Sequence, residues 1–351
     1  MDHKKIKKEV TIKDIAMAAG VTHPVVSAAL RGIKSSVKYS EETRLRVLDV
    51  AEKLNYEPNI LARSFRGQRS FLIGVLFSGV NHSIIAEFCH GLQGTVSGNG
   101  CSPLLLVHNN CEEELEFLDQ CLDRKIEGVI VNSAIGKDGQ SNSDRFKEVA
   151  RSMPVVEVFA SEIKDVPSIS LDFHSASLKG TRYLIEKGHR SIALYTHDRC
   201  RRYIDAPGLY LPAWRYKQGY VQAMEEAGLE TIIVNHPLAD DLSLRGSSFD
   251  GAYEHASGIF DHPSKPTAIL CSDREEVDAL MIHMVGNQIK MQPNFHIVAP
   301  GNPSYSRTGQ CKTSMLSPPI RTVGKMAGEV LFDLIKGETR EDCSLGFHLY
   351  E

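Results

Sequence analysis

The chain has 351 residues and a formal net charge of −4. That length exceeds one small core and suffices to bury two or three without disulfide staples. No apolar run is long enough to span a bilayer, and the charged start Met1–Lys8 leads into no apolar export segment, so neither a membrane helix nor a secretory signal is expected.

The charge is unevenly placed. Residues 1–69 hold 14 Lys/Arg against 8 Asp/Glu, whereas the remainder holds 26 against 36. A basic head on an acidic body favours a nucleic-acid reader joined to a soluble domain. The eight cysteines are scattered with no CxxC pair, which speaks for reduced thiols and against structural zinc. No cofactor or metal is expected.

In chain order, Thr11 is an N-cap with Asp14 three residues on, and Ile12, Ile15, Ala16 and Ala19 give the first helix an apolar face. Gly20 suits a left-handed turn and Val21 a core plug. Thr22 caps a second helix, Pro24 is tolerated in its first turn, and Val25, Val26, Ala29 and Leu30 supply its buried side. Ser40 starts a third helix with the stripe Leu45, Val47, Leu48, Ala51 and Leu54. Two short helices crossed by a third make a helix-turn-helix scaffold whose second helix enters the major groove. Its candidate DNA face is His23, Pro24, Ser27, Ala28 and Arg31, edged by Thr11 and Thr22. Lys13, Lys38 and Arg44 are placed for phosphates.

From Phe71 onward, short apolar runs alternate with amphipathic helices. Strands are expected at 72–77, 102–107, 128–132, 155–159, 191–196, 231–235, 268–271 and 296–299, with a short terminal strand near 344–349. Helices are expected at 84–97, 112–124, 144–151, 175–187, 215–227, 249–260, 276–288 and 320–336. This alternation predicts parallel sheets covered by helices, in two doubly wound lobes.

The head, whose residues run Thr11-Ile-Lys-Asp-Ile-Ala-Met-Ala-Ala-Gly20-Val-Thr-His, resembles that of the lactose/galactose repressor family of bacterial transcription regulators. So does the segment Tyr56-Glu-Pro58-Asn59-Ile-Leu-Ala62-Arg63-Ser-Phe65-Arg-Gly67, which is similar to the family's hinge. The body pieces Lys125-Ile-Glu-Gly128-Val-Ile-Val, Tyr183-Leu-Ile-Glu-Lys-Gly188-His and Pro266-Thr-Ala-Ile-Leu-Cys-Ser-Asp273 carry the resemblance through almost the whole chain.

The resemblance implies a fold of the α/β class: an all-α head on a body like a type I periplasmic binding protein. It implies residues 1–57 as the DNA-binding domain and 58–70 as hinge. The first lobe is then 71–170 with 301–318 returning to it, and the second is 171–300 with 319–351, with crossings near 170, 300 and 318. It also implies a cytoplasmic homodimer on a pseudo-palindromic operator, packed through the helix at 84–97. The chain's end soon after its last strand, without a leucine-heptad tail, makes a dimer the expectation rather than a tetramer. Hinge helices would enter the minor groove with Asn59, Ala62 and Arg63 as contacts and Phe65 in place of the family's wedging leucine. The arginine usual after the recognition serine is Ala28 here, the usual asparagine near that helix's end is Arg31, and the loop 33–39 is longer than the common form.

A small effector, expected to be a sugar or sugar derivative, would lie between the lobes at the C-terminal strand ends. Asp273 matches the family's aspartate for sugar hydroxyls and also suits a helix cap. Asp172 matches another, with Phe173 replacing its asparagine neighbour. Ser78, His82, Asn132 and Asn302 sit at further strand ends or loops. Trp214 is either core or a platform under a sugar ring. Tyr216 stands where the family carries an effector-binding arginine, with Arg215 beside it. The stretch 199–212 reads as a lid or a surface loop. An enzyme is the weaker reading, because His174, His189 and His197 stand in no ordered catalytic or metal spacing and no Gly-x-Gly-x-x-Gly is present. A sugar receptor without specific DNA readout is the other alternative.

Overall fold

The computed structural model describes residues 10–31, 37–56, 69–78, 82–134, 140–197, 212–237, 248–290, 292–302 and 311–351. The chain divides into two compact units, Met1–Arg69 and Ser70–Glu351.

The head folds as three helices, α1 (Ile12–Ala19), α2 (His23–Arg31) and α3 (Glu41–Lys53). The Asp14 carboxylate opens α1 by accepting the Thr11 N–H at 2.8 Å and the Thr11 hydroxyl at 2.7 Å. Gly20 ends it in the left-handed region (φ 64°, ψ 36°), and Val21 N–H closes back on Ala16 O at 3.1 Å. Such a turn strains any residue with a Cβ, so the glycine sets the angle between α1 and α2. Ser40 Oγ accepts the Thr43 N–H at 3.1 Å to start α3. Ile15, Ala19, Val26, Ala29, Val47 and Ala51 form the head's core. Leu45 is a correction to the expected stripe: it is 59% exposed, because it lies on the opposite side of α3 from Val47.

Two six-stranded sheets build the body. The first takes β1 (Leu72–Ser78), β2 (Ser102–His108), β3 (Gly128–Val131), β4 (Val155–Phe159), β5 (Ser168–Leu171) and β11 (Cys343–Leu345) in the order β11-β5-β4-β3-β1-β2. The second takes β6 (Ile192–His197), β7 (Ile232–His236), β8 (Ala268–Cys271), β9 (His296–Pro300), β10 (Lys312–Ser317) and β12 (His348–Tyr350) in the order β12-β10-β9-β8-β6-β7. Pairing is parallel throughout except that β12 runs antiparallel to β10. The helices are α4 (His82–Gly98), α5 (Cys111–Asp123), α6 (Ser143–Val149), α7 (Phe173–Glu186), α8 (Pro212–Glu226), α9 (Ser248–His255), α10 (Ser257–Phe260), α11 (Arg274–Gly286) and α12 (Ile320–Ile335).

The two lobes repeat one plan, and their helix pairs pack through glycine. A Cβ on Gly91 of α4 would fall 2.0 Å from Arg321 O, and one on Gly324 of α12 would fall 2.2 Å from Phe88 O. The backbones of α4 and α12 therefore touch, and only glycine permits it. Gly219 of α8 plays the same part against His174 O of α7 in the second lobe.

The return segments differ from expectation. β10, within 301–318, joins the second sheet beside β9, with Thr313 opposite Ile297 and Met315 opposite Ala299. Within 319–351, α12 packs on α4, β3 and β4, and β11 pairs with β5, so both belong to the first lobe; only β12 stays with the second. Among the described residues the chain crosses between sheets at 171–173, 317–320 and 345–348, so the crossing expected near 300 lies instead at 345–348. The strand expected near 344–349 is therefore two strands in two sheets. β5 and β10 were not expected as strands, and the helix expected over 249–260 breaks at Ala256. Strand pairing partners are separated by long stretches of chain, and local periodicity carries no information about which sheet accepts a short strand.

Candidate functional site

On the head, Thr11, Lys13, Thr22 and Pro24 are exposed, and His23 and Ser27 are half-buried at the start and middle of α2. Ala28 differs from its expected place on the DNA face. It is 2% exposed, and its carbonyl accepts the Tyr39 hydroxyl at 3.2 Å, so it faces the protein. Arg44 pairs with Glu41 at 2.7 Å, one turn back on α3. Arg31 closes α2, with its side chain outside the described residues. The hinge candidates Asn59, Ala62, Arg63 and Phe65 also lie outside them, as do the His82 side chain and the stretch 198–211 that holds nearly all of the expected lid.

In the body, Ser78, Asn132, Asp172, Asp273 and Asn302 stand at or just after the C-terminal ends of strands, whereas Trp214, Arg215 and Tyr216 lie near the start of α8. On the second sheet, the turn from β8 into α11 carries Ser272 and Asp273. Asp273 caps α11, its Oδ1 accepting the Glu276 N–H at 3.0 Å. Glu276 answers from below: its carboxylate accepts the Ser272 N–H at 2.6 Å, the Ser272 hydroxyl at 2.7 Å and the Asp273 N–H at 3.1 Å. The same carboxylate meets His236 Nε2, at the end of β7, at 3.0 Å, and both side chains are fully buried. Burial first, and the neighbouring Asp273 charge second, push the Glu276 carboxyl up to about 7. Burial opposes charge on His236, but the hydrogen bond and charge of Glu276 prevail and raise its pKa. Neither member of this pair was singled out from the sequence. The visible sign was the Asp-x-x-Glu spacing at 273–276, which marks a helix start and says nothing of the histidine forty residues earlier.

Arg274, beside Asp273, donates to Asp278 Oδ1 at 2.6 Å. Tyr216, in the first turns of α8, is 1% exposed; its backbone carbonyl accepts the Ser177 hydroxyl, while its own hydroxyl, pushed well up in pKa by burial, has no hydrogen-bond partner among the described residues. Trp214 is half-buried, with the exposed Arg215 guanidinium 5.4 Å from its ring. Asn302 follows the end of β9.

Asp172 and Phe173 stand at the first interlobe crossing. Asp172 caps α7 by accepting the Ser175 N–H at 2.9 Å, and its own N–H reaches Leu345 O at 2.9 Å. Phe173 packs on Phe347 of the third crossing, with ring centroids 5.2 Å apart.

The first sheet presents Ser78 at the end of β1 and Asn132 just after β3, where the Asn132 amide donates weakly to Val158 O at 3.5 Å. Two buried carboxylates lie nearby in the fold. Glu114 accepts the Ala134 N–H at 2.8 Å and the Asn142 amide at 2.7 Å, and burial raises it to about 7. Its neighbour His108, 3.5 Å away and also buried, is pulled down to about 4 by burial. Glu157 accepts the Ser133 hydroxyl at 3.0 Å and the backbone N–H groups of Glu162 and Ile163; burial raises its pKa. These residues fasten the loops after β3 and β4 to the lobe. The described residues offer no group of three His, Cys, Asp or Glu fit to hold a metal ion. No helix among them is long and apolar enough to cross a membrane.

Comparison with known proteins places these features. Residues 11–59 match the family model of bacterial regulatory proteins of the lacI family, and residues 70–298 match that of the periplasmic binding proteins and sugar binding domain of the LacI family. Among curated proteins, the chain is 26% identical to catabolite control protein A of Priestia megaterium over 94% of both chains. It is 25% identical to the probable HTH-type transcriptional repressor ExuR of Bacillus subtilis strain 168, over 93% of this chain and 92% of that one. Among solved structures, the lac repressor dimer bound to operator and the anti-inducer ONPF superposes with a TM-score of 0.78 at 18% identity, covering 98% of each chain. The complex of the transcriptional regulator CelR with cellobiose gives 0.64 at 19% identity, over 98% of this chain and 99% of that one.

Proposed function

The chain belongs to the LacI family of bacterial regulatory proteins, and on that premise we propose that it is a cytoplasmic, homodimeric repressor whose operator affinity is set by a small polyhydroxylated effector, a sugar or sugar derivative, held between the lobes. The observation that carries this reading is the joining, in one chain, of a head turned at Gly20 to a body whose two sheets end in polar residues at their C-terminal edges. In parallel α/β sheets that edge is where ligands bind.

The residues divide the work. Thr22, His23, Pro24 and Ser27 at the N-terminal part of α2 read base edges, with Arg31 at its end, while Thr11, Lys13 and Arg44 hold phosphates. Asn59, Ala62, Arg63 and Phe65 engage the minor groove. With Ala28 buried, this head reads bases through fewer long side chains than an arginine there would allow, so operator preference rests on His23 and Arg31. In the body, Asp273 accepts effector hydroxyls beside Tyr216, Trp214, Arg215 and Asn302, and Ser78, His82 and Asn132 face them from the first lobe. Asp172 and Phe173, at a crossing, report the relative setting of the lobes to the rest of the body, and two coupled sites of this kind meet the definition of allostery.

For self-association, the expected helix α4 directs Phe88, Leu92 and Val96 inward and leaves Ala86, His90, Gln93 and Gly94 exposed. Among the described residues of the body, the large exposed apolar residues are Ile282 (52%), Val285 (59%) and Tyr253 (36%) on α11 and α9, with Leu105 (41%) on β2 and Tyr350 (45%) on β12. A dimer contact that includes them buries apolar surface that otherwise faces water.

Selection of random DNA by the full-length protein, followed by sequencing of the bound pool, tests the reading. A symmetric motif of roughly 14–20 base pairs is expected, one half-site per head. Failure to enrich any motif, with or without sugars added, would overturn specific readout and favour a sugar receptor.

A further inference from the structure

We infer that His236 and Glu276 are positioning residues for the Ser272–Asp273 turn, and that their hold on it depends on one proton shared between them. The argument begins with hydrogen-bond inventory. His236 Nδ1 lies 3.1 Å from Pro237 O, an acceptor only, so Nδ1 carries a hydrogen. Nε2 lies 3.0 Å from Glu276 Oε1. A histidine neutral on Nδ1–H and an ionised glutamate would set a lone pair against a carboxylate oxygen across that distance, with both groups out of water. The contact therefore exists only with a further proton, either on Nε2 facing the carboxylate or on the carboxyl facing Nε2.

The same carboxylate holds three donors of the β8–α11 turn, the Ser272 N–H, the Ser272 hydroxyl and the Asp273 N–H. When the shared proton leaves, Oε1 and Nε2 repel, and the group that moves is the one carrying the turn. Among the described residues, Arg274 on the same helix is engaged with Asp278 at 2.6 Å. From β6, the Tyr195 ring stands 5.0 Å from the imidazole with its hydroxyl donating to Ala252 O, and His197 stands 6.3 Å away. From β8 comes the Cys271 thiol, from the turn the Asp273 carboxylate, and from α8 the buried Tyr216. α9 contributes backbone: a Cβ added to Gly251 would lie 3.4 Å from His236 Nδ1. With the Asp273 carboxylate on one side and the uncharged Tyr195, Tyr216 and Cys271 side chains on others, the pair keeps its proton near neutrality and yields it above, as the raised values of both members indicate.

The consequence rests on the reading of Asp273 as an effector ligand: an effector bound there is held more tightly at pH 6 than at pH 8. The test avoids that reading by using the full-length protein without effector. Amide hydrogen exchange of the peptide spanning 268–278 is followed from pH 6 to pH 8.5 and corrected for intrinsic rates. In the wild type, protection of the turn is expected to fall by about tenfold as the shared proton is lost. In Glu276→Gln, the side-chain oxygen accepts the two turn N–H groups and its NH2 donates to neutral Nε2, so protection is expected to stay high and flat. Glu276→Ala is expected to lose protection at every pH. A wild-type profile that is flat, or a Glu276→Gln profile that falls in parallel with it, would overturn the inference, and thermal melting of each variant reports folding separately.

Discussion

At the scale of single residues, the second-lobe site separates a cap from a ligand. Asp273 already spends one oxygen on the N-terminus of α11, which fixes the other in direction. Replacing Asp273 with Asn keeps a cap acceptor but removes the charge that strengthens bonds from hydroxyls. Effector affinity is expected to fall by tenfold or more, about 1.4 kcal/mol or above, with effector-free operator affinity unchanged; calorimetry and gel-shift titration measure the two separately. Tyr216 gives a sharper contrast. Its hydroxyl is buried and without a partner among the described residues, so it adds nothing to folding that Phe would not. Tyr216→Phe is expected to leave the melting temperature unchanged or slightly higher while weakening the effector severalfold. An unchanged effector affinity would mean that the hydroxyl faces only protein. Tyr216 and Asp273 were singled out from the sequence because each stands at a motif position of the family, Tyr216 in place of its arginine. The His236–Glu276 pair was not, since His236 ends strand β7 and Glu276 stands in the first turn of helix α11, and only the folded lobe brings them together.

At the scale of elements, helix capping, the Gly20 turn and most helices of the body follow from local pattern, and the structure repeats them within a few residues. The short strands β5 and β10 did not, because four- and six-residue segments such as Ser168–Leu171 and Lys312–Ser317 carry too little periodicity to stand out from loop. The return of α12 to the first lobe is written in glycine rather than in hydrophobic pattern. Gly91 and Gly324 occupy a backbone-to-backbone crossing, whereas Gly94, on the same helix α4, has nothing within 4 Å of where a Cβ would sit. Two opposite outcomes follow from one substitution type. Gly324→Ala is expected to destabilise the body by about 2–3 kcal/mol, through an overpacked contact that neither backbone can relieve. Gly94→Ala is expected to stabilise it by about 0.5–1 kcal/mol, the ordinary gain at an open helix position. Chemical denaturation of the full-length protein distinguishes them, and a mild effect at Gly324 would show that α4 and α12 can slide apart.

At the scale of the whole molecule, the basic head and acidic body set how the protein meets DNA, and buried titrating groups set where it is stable. The excess of six positive charges in residues 1–69 predicts steep loss of operator affinity with salt, by counterion release; a fluorescence titration across salt concentrations checks the slope, which a body fragment starting at Ser70 is expected to lack altogether. Stability against pH is governed by groups of opposite sign. His108 and His296 are held down to about 4 by burial, so the stability they give is present above pH 6.5 and lost as pH falls through 4. Glu114 and Glu276 are pushed up to about 7 by burial, so the stability they give is present below pH 4.5 and lost as pH rises through 7. Between 4.5 and 6.5 the two sets cancel, because each histidine proton missing from the native state is matched by a glutamate proton retained in it. Removing one member breaks the balance. In Glu114→Gln the single amide oxygen accepts from either the Ala134 N–H or the Asn142 amide, not both, and does not titrate, so the variant starts from a pH-independent loss and its stability relative to wild type is expected to rise with pH, by on the order of 1 kcal/mol per unit between pH 4.5 and 7. Urea denaturation of both proteins at four or five pH values measures that difference, and a difference independent of pH would mean that Glu114 is ionised in the native state and held by its hydrogen bonds instead.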